Sequence, residues 1–117
     1  MSKRKDSELL SDILEAARRL MAYTDNMTYE VFISDSKTQD AVIRNLEVIG
    51  EAVKNLSIEL RAKYPAIPWK SMAGVRDRLI HNYFGVNLDI VWSIVTVELP
   101  ELVFELKRIS EWEGGSR

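Results

Sequence analysis

The sequence predicts an all-α protein, an antiparallel bundle of four or five helices. Three observations predict it. Apolar residues recur at steps of three and four, the period of a helix with one buried face. No stretch gives a strong strand signal. Proline, glycine and capping residues fall between the periodic stretches and leave only short connections.

The first helix is expected over residues 7–23. Leu10, Ile13, Ala17, Leu20 and Thr24 lie on one stripe, and Asp6 or Ser7 is placed to cap its start. A short helical turn is expected over 28–34. The second long helix carries Val42, Leu46, Ile49, Val53 and Leu56, with Asp35 or Ser36 as its cap. Pro65 and Pro68 then interrupt the chain. Pro68 is suited to open a third helix with residues 69–82 as its body, and Gly85 ends that helix or sits just past it. Asn87 caps the last helix, whose stripe is Leu88, Trp92, Val95, Leu99, Leu102, Leu106 and Ile109. Pro100 lies inside that stripe and is expected to kink it.

Two stripes are wider than one seam requires. Ala41, Val48 and Ala52 broaden the second long helix, and Ile90, Ile94, Val97 and Phe104 broaden the last. Either the internal core is better covered, or a second apolar face makes a dimer.

A chain of 117 residues is one domain, here 1–117, with 1–6 and 113–117 expected to be flexible. With 46% hydrophobic and 29% charged residues it has the composition of a soluble globular protein. There is no cysteine, hence no disulfide framework and no thiolate nucleophile, which fits a cytoplasmic setting. The single histidine makes a zinc site within one chain a poor recipe, and no cofactor is expected. The basic start lacks the apolar stretch of a signal peptide, and no apolar run approaches the ~20 residues of a membrane span. The net charge of −2 argues against a generic charge-driven nucleic-acid binder, but not against a small local basic site.

That single histidine, His81, lies in the run Arg76-Asp77-Arg78-Leu79-Ile80-His81-Asn82-Tyr83. An arginine can hold a phosphate through two parallel hydrogen bonds. A histidine exchanges protons near neutral pH. Together they suffice for metal-free chemistry on a phosphodiester. On a regular helix Asp77 and His81 are ~40° apart and meet, whereas Arg76 and His81 are ~140° apart and do not. Either the helix unwinds before Gly85 and re-aims His81, or two copies of the motif face each other across a symmetric interface. The plainer reading is a helix end decorated with cations that favour the helix dipole, with Arg78 and His81 solvated.

The residues taken in order change that balance. Arg76 to Val86 resembles the signature of the HEPN superfamily, and more closely its HepT-like toxin branch, with the pattern R-x4-H-x-Y. The likeness continues into Asn87-Leu88-Asp89-Ile90-Val91-Trp92 and Leu99-Pro100-Glu101-Leu102. Upstream, Arg44-Asn45-Leu46-Glu47-Val48-Ile49-Gly50-Glu51-Ala52 and Pro68-Trp69-Lys70-Ser71-Met72-Ala73-Gly74 resemble the family's second long helix and its approach to the motif. R-x4-H alone is a weak signal; the ordered set is specific.

The resemblance implies an all-α HEPN-like domain that forms a homodimer, with two motifs lining a shared cleft. It implies a metal-independent ribonuclease, the toxin of a toxin–antitoxin pair. The implied catalytic residues are Arg76 and His81, with Asp77 as a supporting polar residue. Arg78 would add affinity for RNA. The implied partner is a nucleotidyltransferase antitoxin of the MNT type, which transfers AMP to the motif tyrosine, here Tyr83. An AMP group would put bulk and negative charge where RNA phosphate binds. The competing reading is a non-catalytic subunit of the same fold that binds a nucleotide or the nucleotidyltransferase.

Overall fold

A computed structural model describes residues 5–80 and 85–114. Helix α1, Asp6–Tyr23, begins one residue before the expected start, with Lys5 at the capping position. Asp6 is therefore not the cap but the first helical residue. Its carboxylate crosses to another part of the chain, accepting from Ser57 N at 2.9 Å and Ser57 Oγ at 2.6 Å. The predicted stripe is the buried one: Leu10, Ile13, Ala17, Leu20 and Thr24 all lie inside. Thr24 Oγ donates to Leu20 O at 3.1 Å and closes the helix.

Helix α2, Tyr29–Ile33, fills the expected short turn, and its one fully buried side chain is Phe32. Helix α3, Ser36–Asn55, is capped by Asp35, whose carboxylate accepts from Thr38 N at 3.0 Å. Helix α4, Ile58–Lys63, was not anticipated. Ser57 caps it through Leu60 N while being held by Asp6, so one serine ties the starts of α1 and α4 together.

The third expected helix is two. Helix α5, Trp69–Ala73, and helix α6, Val75–Leu79, meet at a corner on Gly74. The helix does not continue through residue 82, because Ile80 is extended (φ −90°, ψ 127°). Ile80 pairs with Val86 in an isolated antiparallel bridge, and Asn87 N donates to Leu79 O at 2.7 Å. Gly85, at φ +87°, takes the left-handed conformation that glycine adopts without strain.

Asn87 caps helix α7, Leu88–Ser93, as expected, accepting from Ile90 N. A π-helical turn, Ile94–Glu98, joins it to helix α8, Leu99–Gly114. Leu99 N donates to Ile94 O, five residues back. The kink expected at Pro100 is an irregularity that lies just before it. Proline has no N–H for the carbonyl four residues earlier, and a π turn absorbs that loss without breaking the rod. It also explains why Ile94 and Leu99 are both buried, since an α-helix would set them ~140° apart.

α1 packs along α3 and α8, α3 carries the α5–α6 corner, and α2 bridges α3 and α7. The chain is thus an all-α bundle around one apolar core. The wide stripes divide: Ala52 and Ile94 are buried, whereas Val97 and Phe104 are 66% and 62% exposed on the outer face. Among the described residues no helix is long and apolar enough to cross a membrane.

The long-range contact of Asp6 carries a prediction. Asp6→Ala removes the acceptor for both Ser57 groups and should lower unfolding free energy by ~1–2 kcal/mol. Urea denaturation measures it; Asp6→Asn, which keeps one acceptor oxygen, should lose less. Equal stability of Asp6→Ala and the wild type would mean the contact contributes nothing.

Candidate functional site

The site is built on α6, a single turn that cannot hold its shape alone. Two apolar side chains, Val75 and Leu79, anchor it in the core. The α5–α6 corner rests on Gly50 of α3, where a Cβ would come within 2.9 Å of Val75 Cγ1 and 3.1 Å of Met72 O. Only glycine permits this approach, which brings the motif helix down onto α3.

With Val75 and Leu79 inward, Arg76 and Asp77 point outward and are exposed. The Arg76 side chain is 74% exposed, and its one ion pair among the described residues is a long contact, Nε to Glu47 Oε2 at 3.9 Å. It stands over an open groove of about 470 Å³ between α1, α3 and α6, lined also by Asp12, Arg44, Glu51 and Lys54. Its guanidinium is thus available to an anion from solvent.

Arg78 is not. The sequence suggests a solvated side chain or an aid to substrate affinity, but the guanidinium forks onto Glu98 of the π turn. Nη1 donates to Oε1 at 3.0 Å and Nη2 to Oε2 at 2.7 Å. Nη1 also donates to Ser71 Oγ on α5 at 3.0 Å. Hydrogen bonding to Glu98 pushes the Arg78 pKa further above its ordinary value.

His81 and Tyr83 lie outside the described residues. What is described is where the segment that carries them starts and ends. Leu79 is buried, Ile80 bridges to Val86, and Asn87 is tied to Leu79. The chain leaves α6 and re-enters α7 at one place, a few residues from Arg76. Ile80 is extended, so α6 ends at Leu79, and the pairing expected between Asp77 and His81 falls on a residue outside the described ones. The re-aiming of His81 expected from unwinding before Gly85 likewise lies outside the described residues.

Glu47, Ser71 and Glu98 were missed as neighbours of the motif. Nothing in their spacing identifies them: Glu47 is 29 residues before Arg76 in sequence, and Glu98 reaches Arg78 across 20. The proline two positions after Glu98 was the available hint of an irregular turn there.

Residues 13–109 match the family model described as "Ribonuclease HepT-like". The chain is 50% identical over 109 residues to "Putative RNase MJ0127" of Methanocaldococcus jannaschii, covering 93% of this chain and 90% of that one. It is 42% identical over 107 residues to "Probable ribonuclease HepT" of Thermococcus cleftensis, covering 92% of this chain and 97% of the relative. No solved structure matches the chain. The matched span takes in all of α3, the α5–α6 corner and the π turn, so the chain belongs to the HepT-like ribonuclease family.

Proposed function

We propose that the chain is a ribonuclease of the toxin type, cutting RNA phosphodiesters without a metal and acting in the cytoplasm. The observation that carries this reading is the contrast between the two motif arginines. Arg78 is held by Glu98 and Ser71, whereas Arg76 stands exposed over a groove, beside the anchored ends of the segment bearing His81.

In the proposed reaction the ribose 2′ oxygen attacks the adjacent phosphorus, and the bond to the 5′ oxygen of the next nucleotide breaks. The products are a cyclic phosphate and a free 5′ hydroxyl. His81 takes the proton from the attacking hydroxyl or supplies one to the leaving oxygen. Arg76 stabilises the charge that builds on the phosphate oxygens. Asp77 supports the polar network next to Arg76. A homodimer would put two motifs in one cleft and let two histidines divide the acid and base roles. The exposed Val97 and Phe104 are compatible with a partner subunit. The partner that silences the toxin is an MNT-type nucleotidyltransferase antitoxin, which places AMP on Tyr83.

The test is cleavage of total cellular RNA by the purified chain in EDTA, read together with intact mass. Cleavage is expected from the unmodified protein, and loss of cleavage with a mass gain in AMP units at Tyr83 after treatment with the nucleotidyltransferase and ATP. An unmodified, folded dimer that leaves RNA intact overturns the nuclease reading. It favours the non-catalytic nucleotide- or nucleotidyltransferase-binding subunit.

A further inference from the structure

We infer that Glu98 is a positioning residue for the proposed nuclease site, acting through Arg78 to fix the seat of α6 and so of Arg76. The inference rests on the nuclease reading for its effect on catalysis, but its geometry stands independently.

α6 has five residues, too few to set its own orientation. Val75 and Leu79 hold one side of it in the core and define how deep it sits. The Gly74 corner and the Asn87 N–Leu79 O bond hold its two ends, and a roll between them would still swing Arg76. The Arg78 fork removes that freedom. A planar guanidinium bonded through both terminal nitrogens to both oxygens of one carboxylate has a fixed orientation as well as a fixed distance. Ser71 Oγ adds a third contact from α5, so the fork spans α5, α6 and the π turn.

Glu98 meets the fork because of the π turn. The extra residue between Ile94 and Leu99 keeps both of those side chains in the core, and Glu98, next to Leu99, faces α6. Single π turns inside α-helices are frequent at functional sites. Under the fork lies an apolar floor: Arg78 and Glu98 share a small cavity of about 30 Å³ with Leu46, Ile49, Met72 and Ile94. The side chains of Arg78 and Glu98 are 34% and 45% exposed, so the pair is only partly open to water. Two residues after Arg78, the chain enters the Ile80–Val86 bridge, so the clamp adjoins the start of the segment that carries His81.

A rate that depends on a charged group placed to within an ångström is sensitive to such a seat. A misplacement of that size can cost ~100-fold. Glu98→Gln keeps the size of the side chain but weakens the fork, and Arg78→Lys keeps the charge but removes the planar pair.

The experiment compares wild type, Glu98→Gln, Arg78→Lys and the exchanged pair Arg78→Glu with Glu98→Arg. It reads kcat and KM for RNA cleavage, and hydrogen exchange of the Asn87 amide, which is bonded to Leu79 O. Both single variants are expected to lose ~10-fold or more in kcat with KM within twofold, and to exchange the Asn87 amide faster. The exchanged pair is expected to recover part of both. A Glu98→Gln enzyme with kcat within twofold of wild type overturns the inference. So does a loss confined to KM, which would make Arg78 a substrate contact. If wild type itself does not cut RNA, the nuclease reading fails, and Asn87 exchange alone decides the clamp: unchanged exchange in Glu98→Gln overturns it.

Discussion

His81→Ala is expected to abolish RNA cleavage in EDTA, with kcat/KM falling by ~10²–10⁴, the usual range for removal of a general acid or base. Arg76→Ala should cost ~10²–10³, as expected for losing one charge-stabilising donor in the transition state. The two losses should differ in character. Without His81 the pH–rate profile should lose an ionisation between about pH 5 and 8, where an imidazole titrates. Without Arg76 that ionisation should remain and the whole curve should drop. Arg76→Lys should not restore the rate, because an ammonium cannot form the two parallel bonds of a guanidinium. The structure makes Arg76→Ala a clean test. The side chain is 74% exposed and its contact with Glu47 is 3.9 Å long, so stability should change little. Arg78→Ala is not a clean test, because it also removes the fork to Glu98 and Ser71. If Arg76→Ala and His81→Ala both cleave at the wild-type rate, the motif is structural or serves docking, and the catalytic reading fails.

The long helices were legible in the sequence because each buries one stripe. In α1, every residue of the predicted stripe is in the core, and in α3 and α7 the expected capping side chains, Asp35 and Asn87, do cap. The signals there are local, three and four residues apart, and the bundle agrees with them. The 69–82 stretch was misread because its fate is decided elsewhere. Its apolar spacing suits one helix, yet Gly50 on α3 draws the chain into a corner at Gly74, and Val86 pairs with Ile80 before another turn can form. α4 was missed because Ser57 follows directly on the α3 stripe, and its tie to Asp6 spans 51 residues. The site divides in the same way. The order of Arg76, Asp77, His81 and Tyr83 was legible as a motif. The difference between a largely exposed Arg76 and a held Arg78 was not, since it depends on Glu98, and Glu98 is aimed by a π turn that leaves no periodic trace.

Gly50→Val should be strongly damaging although it touches no motif residue. Glycine in a helix interior is normally a weakness, and replacing it gains up to ~1 kcal/mol of helix propensity. Here that gain is opposed by hard contacts. A Cβ at residue 50 falls 2.9 Å from Val75 Cγ1 and 3.1 Å from Met72 O. Met72 O is backbone, and Val75 is short, branched and 5% exposed in the core, so neither can step aside. Valine adds two further carbons in the same gap. α3 and the α5–α6 corner must separate, at a cost of ~1–3 kcal/mol or more, a large share of the ~5–15 kcal/mol that holds a domain folded. Urea denaturation should show a lower midpoint with an unchanged slope. Gly74→Ala is the control: it lies at the corner itself, but its Cβ meets only Lys70 O, at an ordinary 3.5 Å. It should stay near wild type in stability. Because the corner carries α6, the Gly50→Val protein that remains folded should also lose RNA cleavage, through displacement of Arg76 rather than through its removal. A Gly50→Val chain as stable and as active as wild type would show that the close approach of α3 and α6 does not position the site.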